Sequence, residues 1–121
     1  MVDKAKIQEI VSETMANNAD IQGMIVCDAK GDVIFGHTLS EGINHEDVSK
    51  LVVKISANSS SLTAGIDKGG LREVSIAADE GYIVVLGDVK LVLAGIAGES
   101  AREQMGLIRM ALKRALVSMI A

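Results

Sequence analysis

A chain of 121 residues that is 49% apolar but only 2% aromatic is expected to form one domain, 1–121, with a core packed almost entirely by aliphatic side chains. A net charge of −4, with Lys and Arg scattered among acids, leaves no basic face for phosphates and excludes nucleic acid as an expected partner. Cys27 is the sole cysteine, which excludes an internal disulfide and fits a reducing, cytoplasmic setting.

The first segment, about Asp3 to Asn17, carries Ile7, Ile10, Val11 and Thr14 at helical spacing, with Asp3 placed to cap it. IQGMIVCD, from Ile21 to Asp28, holds an apolar run without alternation and reads as a strand buried on both faces. Asp28 to Asp32 then turns, with Gly31 able to take positive φ, and Val33-Ile34-Phe35 returns as a second strand.

A helix follows from Asn44, a good N-cap, to Gly65, with Ile43 and Val48 spaced as a hydrophobic staple. Its expected core stripe is Val48, Leu51, Val52, Ile55, Ser59 and Leu62; a second stripe of small residues comprises Val53, Ala57, Ser60, Ser61 and Ala64. Asp67-Lys68-Gly69-Gly70 breaks the chain.

Three strands at hairpin spacing come next. Leu71 to Asp79 alternates, with Val74, Ile76 and Ala78 on one face and Glu73, Ser75 and Ala77 on the other, as expected near a sheet edge. Tyr82–Leu86 and Leu91–Ala97 are continuous apolar runs, read as central strands, separated by a Gly87-Asp88 turn. The last helix is expected to start at Ser100 with a capping box to Glu103, its core stripe being Ala101, Met105, Ile108, Leu112, Ala115, Leu116 and Met119. Gly106 inside it predicts a close approach to the sheet.

The order α-β-β-α-β-β-β-α, with tight turns between neighbours, predicts an α/β (α+β) fold: an antiparallel sheet with helices on both faces. A mean hydropathy of +0.34 is high for a lone small domain and points to a subunit contact. The longest wholly apolar or glycine stretch, Leu91 to Gly98, falls far short of the about 20 residues a membrane helix needs, so no direct membrane insertion is expected. The opening MVDKAKIQEI carries charges where a signal peptide would be apolar.

The segments IQGMIVCDAKGDVIF, LREVSIAADEGYIVVLGDVKLVLAG and GLIRMALKRAL, in this order and spacing, resemble the Roadblock/dynein-light-chain family. The resemblance spans nearly the whole chain. It departs at Gln104, where many relatives carry Asn two residues before the glycine of the last helix. It implies a profilin-like, five-stranded antiparallel sheet with the middle helix on one face and the terminal helices on the other. It also implies a homodimer that joins third strands edge to edge and pairs its middle helices. Members serve small Ras-like GTPases as regulators or scaffolds, or tether cargo to motors, and in some prokaryotic members the dimer stimulates GTP hydrolysis by its partner. An open strand edge and a small-residue helix stripe suit such a dimer, which assigns Val53, Ala57, Ser60, Ser61, Ala64, Leu71, Glu73, Val74, Ser75 and Ala77 to the interface.

No enzyme constellation, cofactor site or metal site is expected. His37 and His45 are isolated, and Cys27 in an apolar run reads as a buried small hydrophobe, not a nucleophile. Gly95–Ser100 lacks the Lys of a phosphate loop and offers Glu99 in its place. Arg102, Arg109, Lys113 and Arg114 read as a solvated helix face in preference to an arginine finger. The function expected is a non-catalytic regulator or scaffold for a small Ras-like GTPase, with Lys50, Lys54 and Asn58 on the partner surface. The alternative is a light-chain-like adaptor in a larger assembly without GTPase regulation; a small-molecule sensor would need a cavity that this aliphatic core leaves no room for.

Overall fold

The computed structural model describes residues 3–87 and 90–121. Helix α1 (Lys4–Asn17) begins where Asp3 Oδ1 accepts the amide of Lys6. Strand β1 (Ile21–Cys27) turns through Asp28–Asp32 into β2 (Val33–Thr38). Asp28 Oδ1 accepts the amides of Lys30 and Asp32, and Gly31 takes φ +91° to close the turn. Strand β2 runs three residues beyond the expected Phe35, because its backbone stays paired with β1 as far as Thr38 against Gly23.

Helix α2 (His45–Gly65) is capped by Asn44, whose Oδ1 accepts the amide of Asp47. Positive φ at Asp67 and Gly69 turns the chain into β3 (Glu73–Ala78), which pairs in turn with β4 (Gly81–Gly87). The expected turn at Asp88, like Met1 and Val2 of the opening segment, lies outside the described residues. Strand β5 (Val92–Gly98) leads through a short 3-10 turn (Glu99–Gln104) into α3 (Met105–Ile120).

The sheet has five strands in the order β2-β1-β5-β4-β3, with every pair antiparallel. Strands β1, β5 and β4 sit in the middle, which explains their unbroken apolar runs. Helices α1 and α3 pack on one face: Ile7 and Val11 meet Met24, Val26, Leu93, Ile108, Leu112 and their buried neighbours. On the other face α2 covers a smaller cluster of Cys27, Val52, Val85, Val92 and Ala94.

Three local expectations are corrected. The capping box at Ser100 does not form; Ser100 and Glu103 are exposed within the 3-10 turn and no side-chain cap bond is made. Arg102 instead pairs with Glu99 and donates to the Tyr82 hydroxyl at 3.2 Å, tying the turn to β4, so the helix proper starts at Met105. Gly106 makes no close approach, since a Cβ there would meet nothing within 4 Å. The close approach is at Gly95 in β5, where a Cβ would stand 2.5 Å from Leu112 Cδ1. Finally, Leu51 and Leu62 are not core: they are 59% and 63% exposed. The residues of α2 that are buried are Val52 and Ser49.

Candidate protein-interaction surface

The orientation of α2 follows from Ser49. Its hydroxyl reaches the Gly31 carbonyl at 2.6 Å and the Glu46 carbonyl at 3.0 Å, so the first turns of α2 are bound to the β1–β2 hairpin. Two turns of contact at that end roll the helix so that Val48, Ser49, Val52 and Val53 face the sheet. At 100° per residue, Leu51 and Leu62 are carried to one flank, Ala57 and Ala64 to the other, and Lys50, Lys54 and Asn58 to the outer crest.

That roll leaves a groove of 330 Å³ between the Leu51 flank and the sheet. Leu51 and Ile55 form one wall, Ile76, Ile83 and Ile96 the other, with Ile43 closing the end. Strand β5 is buried throughout except at Ile96, and that single half-buried residue lines the groove. Leu39, Leu62 and Ile66 are further large apolar side chains left in solvent. The apolar groove was missed by periodicity alone, because its six isoleucine and leucine residues come from the approach to α2, α2 itself and three strands. The one signal available was the crowding of α2 with more apolar residues than a single sheet-facing stripe can hold.

The groove runs to the free edge at β3. That strand pairs with β4 over six consecutive residues, Glu73 against Leu86 to Ala78 against Gly81, without a bulge. Val74 and Ile76 are half-buried toward α2, while Glu73, Ser75 and Ala77 are exposed on the other face. Glu73 accepts from Ser75 at 3.2 Å and pairs with Arg109 of α3 at 3.5 Å. The opposite edge, β2, differs: its pairing with β1 is broken by a bulge at Val26/Cys27. A bulge twists an edge and blunts it as a pairing template, so β3 is the better-prepared edge.

The other residues expected near this surface are distributed around α2. Val53 is half-buried against the small core, Ala57, Ser60, Ser61 and Ala64 are exposed, Leu71 is half-buried just before β3, and Lys50, Lys54 and Asn58 are exposed. Of β3 only Ile76 lines the groove; Leu71 and Val74 do not, and neither does any of the five small-stripe residues.

His45 Nε2 lies 3.0 Å from Thr38 Oγ1, and its ring covers Gly36, where a Cβ would be 2.7 Å from Nδ1; His37 is exposed on β2. Cys27 is 1% exposed, and burial, with the charges of Asp28 and Asp32 adding to it, pushes its thiol up to about 11. A thiol held protonated this far above neutral pH is inert. Among the described residues no group of three or more His, Cys, Asp or Glu is placed to hold a metal ion, and no helix is long and apolar enough to cross a membrane.

No family model matches the chain, and no curated protein matches it in sequence. Solved structures do match in shape. MglB of Myxococcus xanthus superimposes with a TM-score of 0.85 at 17% identity, over 96% of this chain and 86% of that one. A Roadblock/LC7 domain from Streptomyces avermitilis gives 0.74 at 17% identity over 93% and 97%. Schizosaccharomyces pombe profilin gives 0.63 at 17% identity over 91% and 95%. Strand order, helix placement and these superpositions agree: the chain has the profilin-like fold of the Roadblock/LC7 domains.

Proposed function

We propose that this chain acts as a homodimeric, non-catalytic regulator or scaffold for a small Ras-like GTPase in a cytoplasmic setting. The observation that carries the reading is the continuity of the unbulged β3 edge with the apolar groove beside α2. A second copy joined along β3 pairs the free backbone groups of Glu73 to Ala78, and its own α2 covers Leu51, Ile55 and Leu62. Leu71, Glu73, Val74, Ser75 and Ala77 then lie along the seam, whereas the stripe of Val53, Ala57, Ser60, Ser61 and Ala64 lies on the flank of α2 away from this contact. The outer crest with Lys50, Lys54 and Asn58 becomes one composite platform, and a GTPase seated there is stimulated, where stimulation occurs, by positioning of its own residues. The resemblance in sequence to a family that serves such GTPases supports the choice of partner.

The test has two stages. Light scattering is expected to give twice the 12.7 kDa chain mass, and Leu51→Ser with Leu62→Ser to return it to the single mass. Calorimetry with Ras-like GTPases of the same genome is expected to show binding that depends on the nucleotide state. A lone subunit at working concentration ends the proposal; a dimer that binds no GTPase keeps the assembly and removes the regulatory role.

A further inference from the structure

Helix α3 carries two apolar stripes where one is needed. The inner one, Ile108, Leu112, Leu116 and Met119 with Ala115, is buried against the sheet and α1. The outer one is in solvent: Leu107 is 64% exposed, Met110 51% and Val117 59%. With Arg114 between them, these four follow at spacings of three, four and three residues, the pattern of a helix face that receives another helix. Leu107, Met110 and Arg114 border a groove of 490 Å³ between α3 and α1, whose other wall is Ile10, Glu13 and Asn17, while Val117 stands outside it on the outer face of α3 beside Met110, Lys113 and Arg114.

The charges select the occupant. Helix α3 bears Arg109, Lys113 and Arg114 and no acid. Arg109 is engaged with Glu73, while Lys113 and Arg114, both exposed on the outer face of α3, make no ion pair among the described residues. A second copy seated by a twofold contact would set this cationic face against itself. An anionic membrane would meet a concave seat whose α1 wall presents Glu13, without an aromatic anchor among the residues that line it. We infer that the outer face of α3, together with the α1–α3 groove beside it, docks an amphipathic α-helix from another protein, with apolar anchors on Leu107, Met110 and Val117 and acidic residues along the side that faces Lys113 and Arg114. Met110 is an unbranched side chain suited to such a seat, adapting to anchors of different shape. This surface lies on the opposite face of the sheet from α2, so it does not depend on the proposed dimer or its GTPase.

The experiment uses the full chain and two fluorescein-labelled peptides of about 20 residues with the same leucine face, one flanked by Glu and one by Lys. By fluorescence anisotropy the Glu-flanked peptide is expected to bind at least about tenfold more tightly. Met110→Asp with Val117→Asp, at exposed positions that leave folding intact, removes that binding. Lys113→Glu with Arg114→Glu inverts the preference toward the Lys-flanked peptide, whereas Leu51→Ser on the other face leaves it unchanged. Circular dichroism melts confirm that each variant is folded. Equal binding of the two peptides, no binding up to about 1 mM, or binding indifferent to Met110→Asp/Val117→Asp overturns the proposal. So does co-sedimentation with phosphatidylserine/phosphatidylcholine vesicles that depends on the same residues, or a fall in oligomeric mass caused by those substitutions.

Discussion

Among the described residues, sixteen buried side chains on the α1/α3 side of the sheet, from both helices, three strands, Leu91 and the 3-10 turn, form one cluster, and on the α2 side five do. The helices themselves differ in the same sense. Helix α3 buries five of its 16 residues, whereas α2, with 21, buries Ser49 and Val52. Both faces of the central strands are equally apolar, so the deficit on the α2 side is a deficit of covering, not of surface to cover. The first face is completed within the chain. The second stops at a groove whose isoleucines have no intramolecular lid, next to a strand edge with free hydrogen-bonding groups. One face therefore holds the fold, and the other is the one that the proposed second copy covers.

The largest effect expected from this difference lies at Leu112. It is 0% exposed and rests on Gly95, which has no side chain to occupy the space that its removal leaves. Leu112→Ala is expected to cost about 2–5 kcal/mol of folding stability. Leu51→Ala, on the open face, is expected to change the stability of the isolated subunit by no more than about 0.5 kcal/mol. Urea unfolding at protein concentrations too low for assembly measures both. Equal losses would mean that the two faces are completed alike, and the contrast between them would be gone.

Cys27 gives a second measure of the α2 side, since its thiol is buried there under the smaller cluster. The folded chain keeps its proton up to about pH 11, against an ordinary value of 9.0. Between those values the unfolded chain releases a proton that the folded chain retains, so rising pH favours unfolding. The thiol's contribution is present in full below pH 9 and is lost through the window up to about pH 11, a change of about 2–3 kcal/mol. Other groups titrate there too, so the quantity to measure is the difference in pH slope between the native chain and Cys27→Ala. Parallel slopes would place Cys27 in contact with water and the α2 face more open than its packing indicates.

What is legible in the sequence follows from how far apart the deciding residues are. The central strands β1, β4 and β5 announce themselves because burial on both faces leaves no polar residue in their runs Met24–Cys27, Ile83–Leu86 and Val92–Ala97. The edge position of β3 shows in its alternation for the opposite reason. Caps at Asp3 and Asn44 are settled within one turn of chain. The roll of α2 is not, because apolar periodicity offered a stripe with Leu51 and Leu62, and the contact that decides against it is a buried serine hydroxyl on a carbonyl 18 residues away. The start of α3 is misplaced as well: the local pattern at Ser100 satisfies a capping box, but Ser100 and Glu103 lie exposed in a 3-10 turn, where Arg102 reaches Tyr82, 20 residues back on β4. The edge half of the candidate surface could thus be read from one strand. The groove half could not, since Ile43, Ile55, Ile76, Ile83 and Ile96 meet only after the sheet has formed.

The smallest of these effects tests that serine directly. Ser49 is 0% exposed, and its hydroxyl is what holds α2 to the hairpin at Gly31. Ser49→Ala keeps the volume nearly constant and removes the hydroxyl's contacts with the Gly31 and Glu46 carbonyls, at an expected cost of about 1–2 kcal/mol. Ser60→Ala, on the exposed side of the same helix, is expected to cost less than about 0.5 kcal/mol. Hydrogen exchange separates this anchoring role from a general loss of stability. The amides of Lys30, Gly31 and Asp32 belong to a turn closed by Asp28, and they are expected to exchange faster in Ser49→Ala while amides of α3 keep their protection relative to global unfolding. A uniform rise across both faces would show that Ser49 supports the whole fold. A rise confined to the hairpin and α2 would show that the open face has a stability of its own, lower than that of the face closed by α1 and α3.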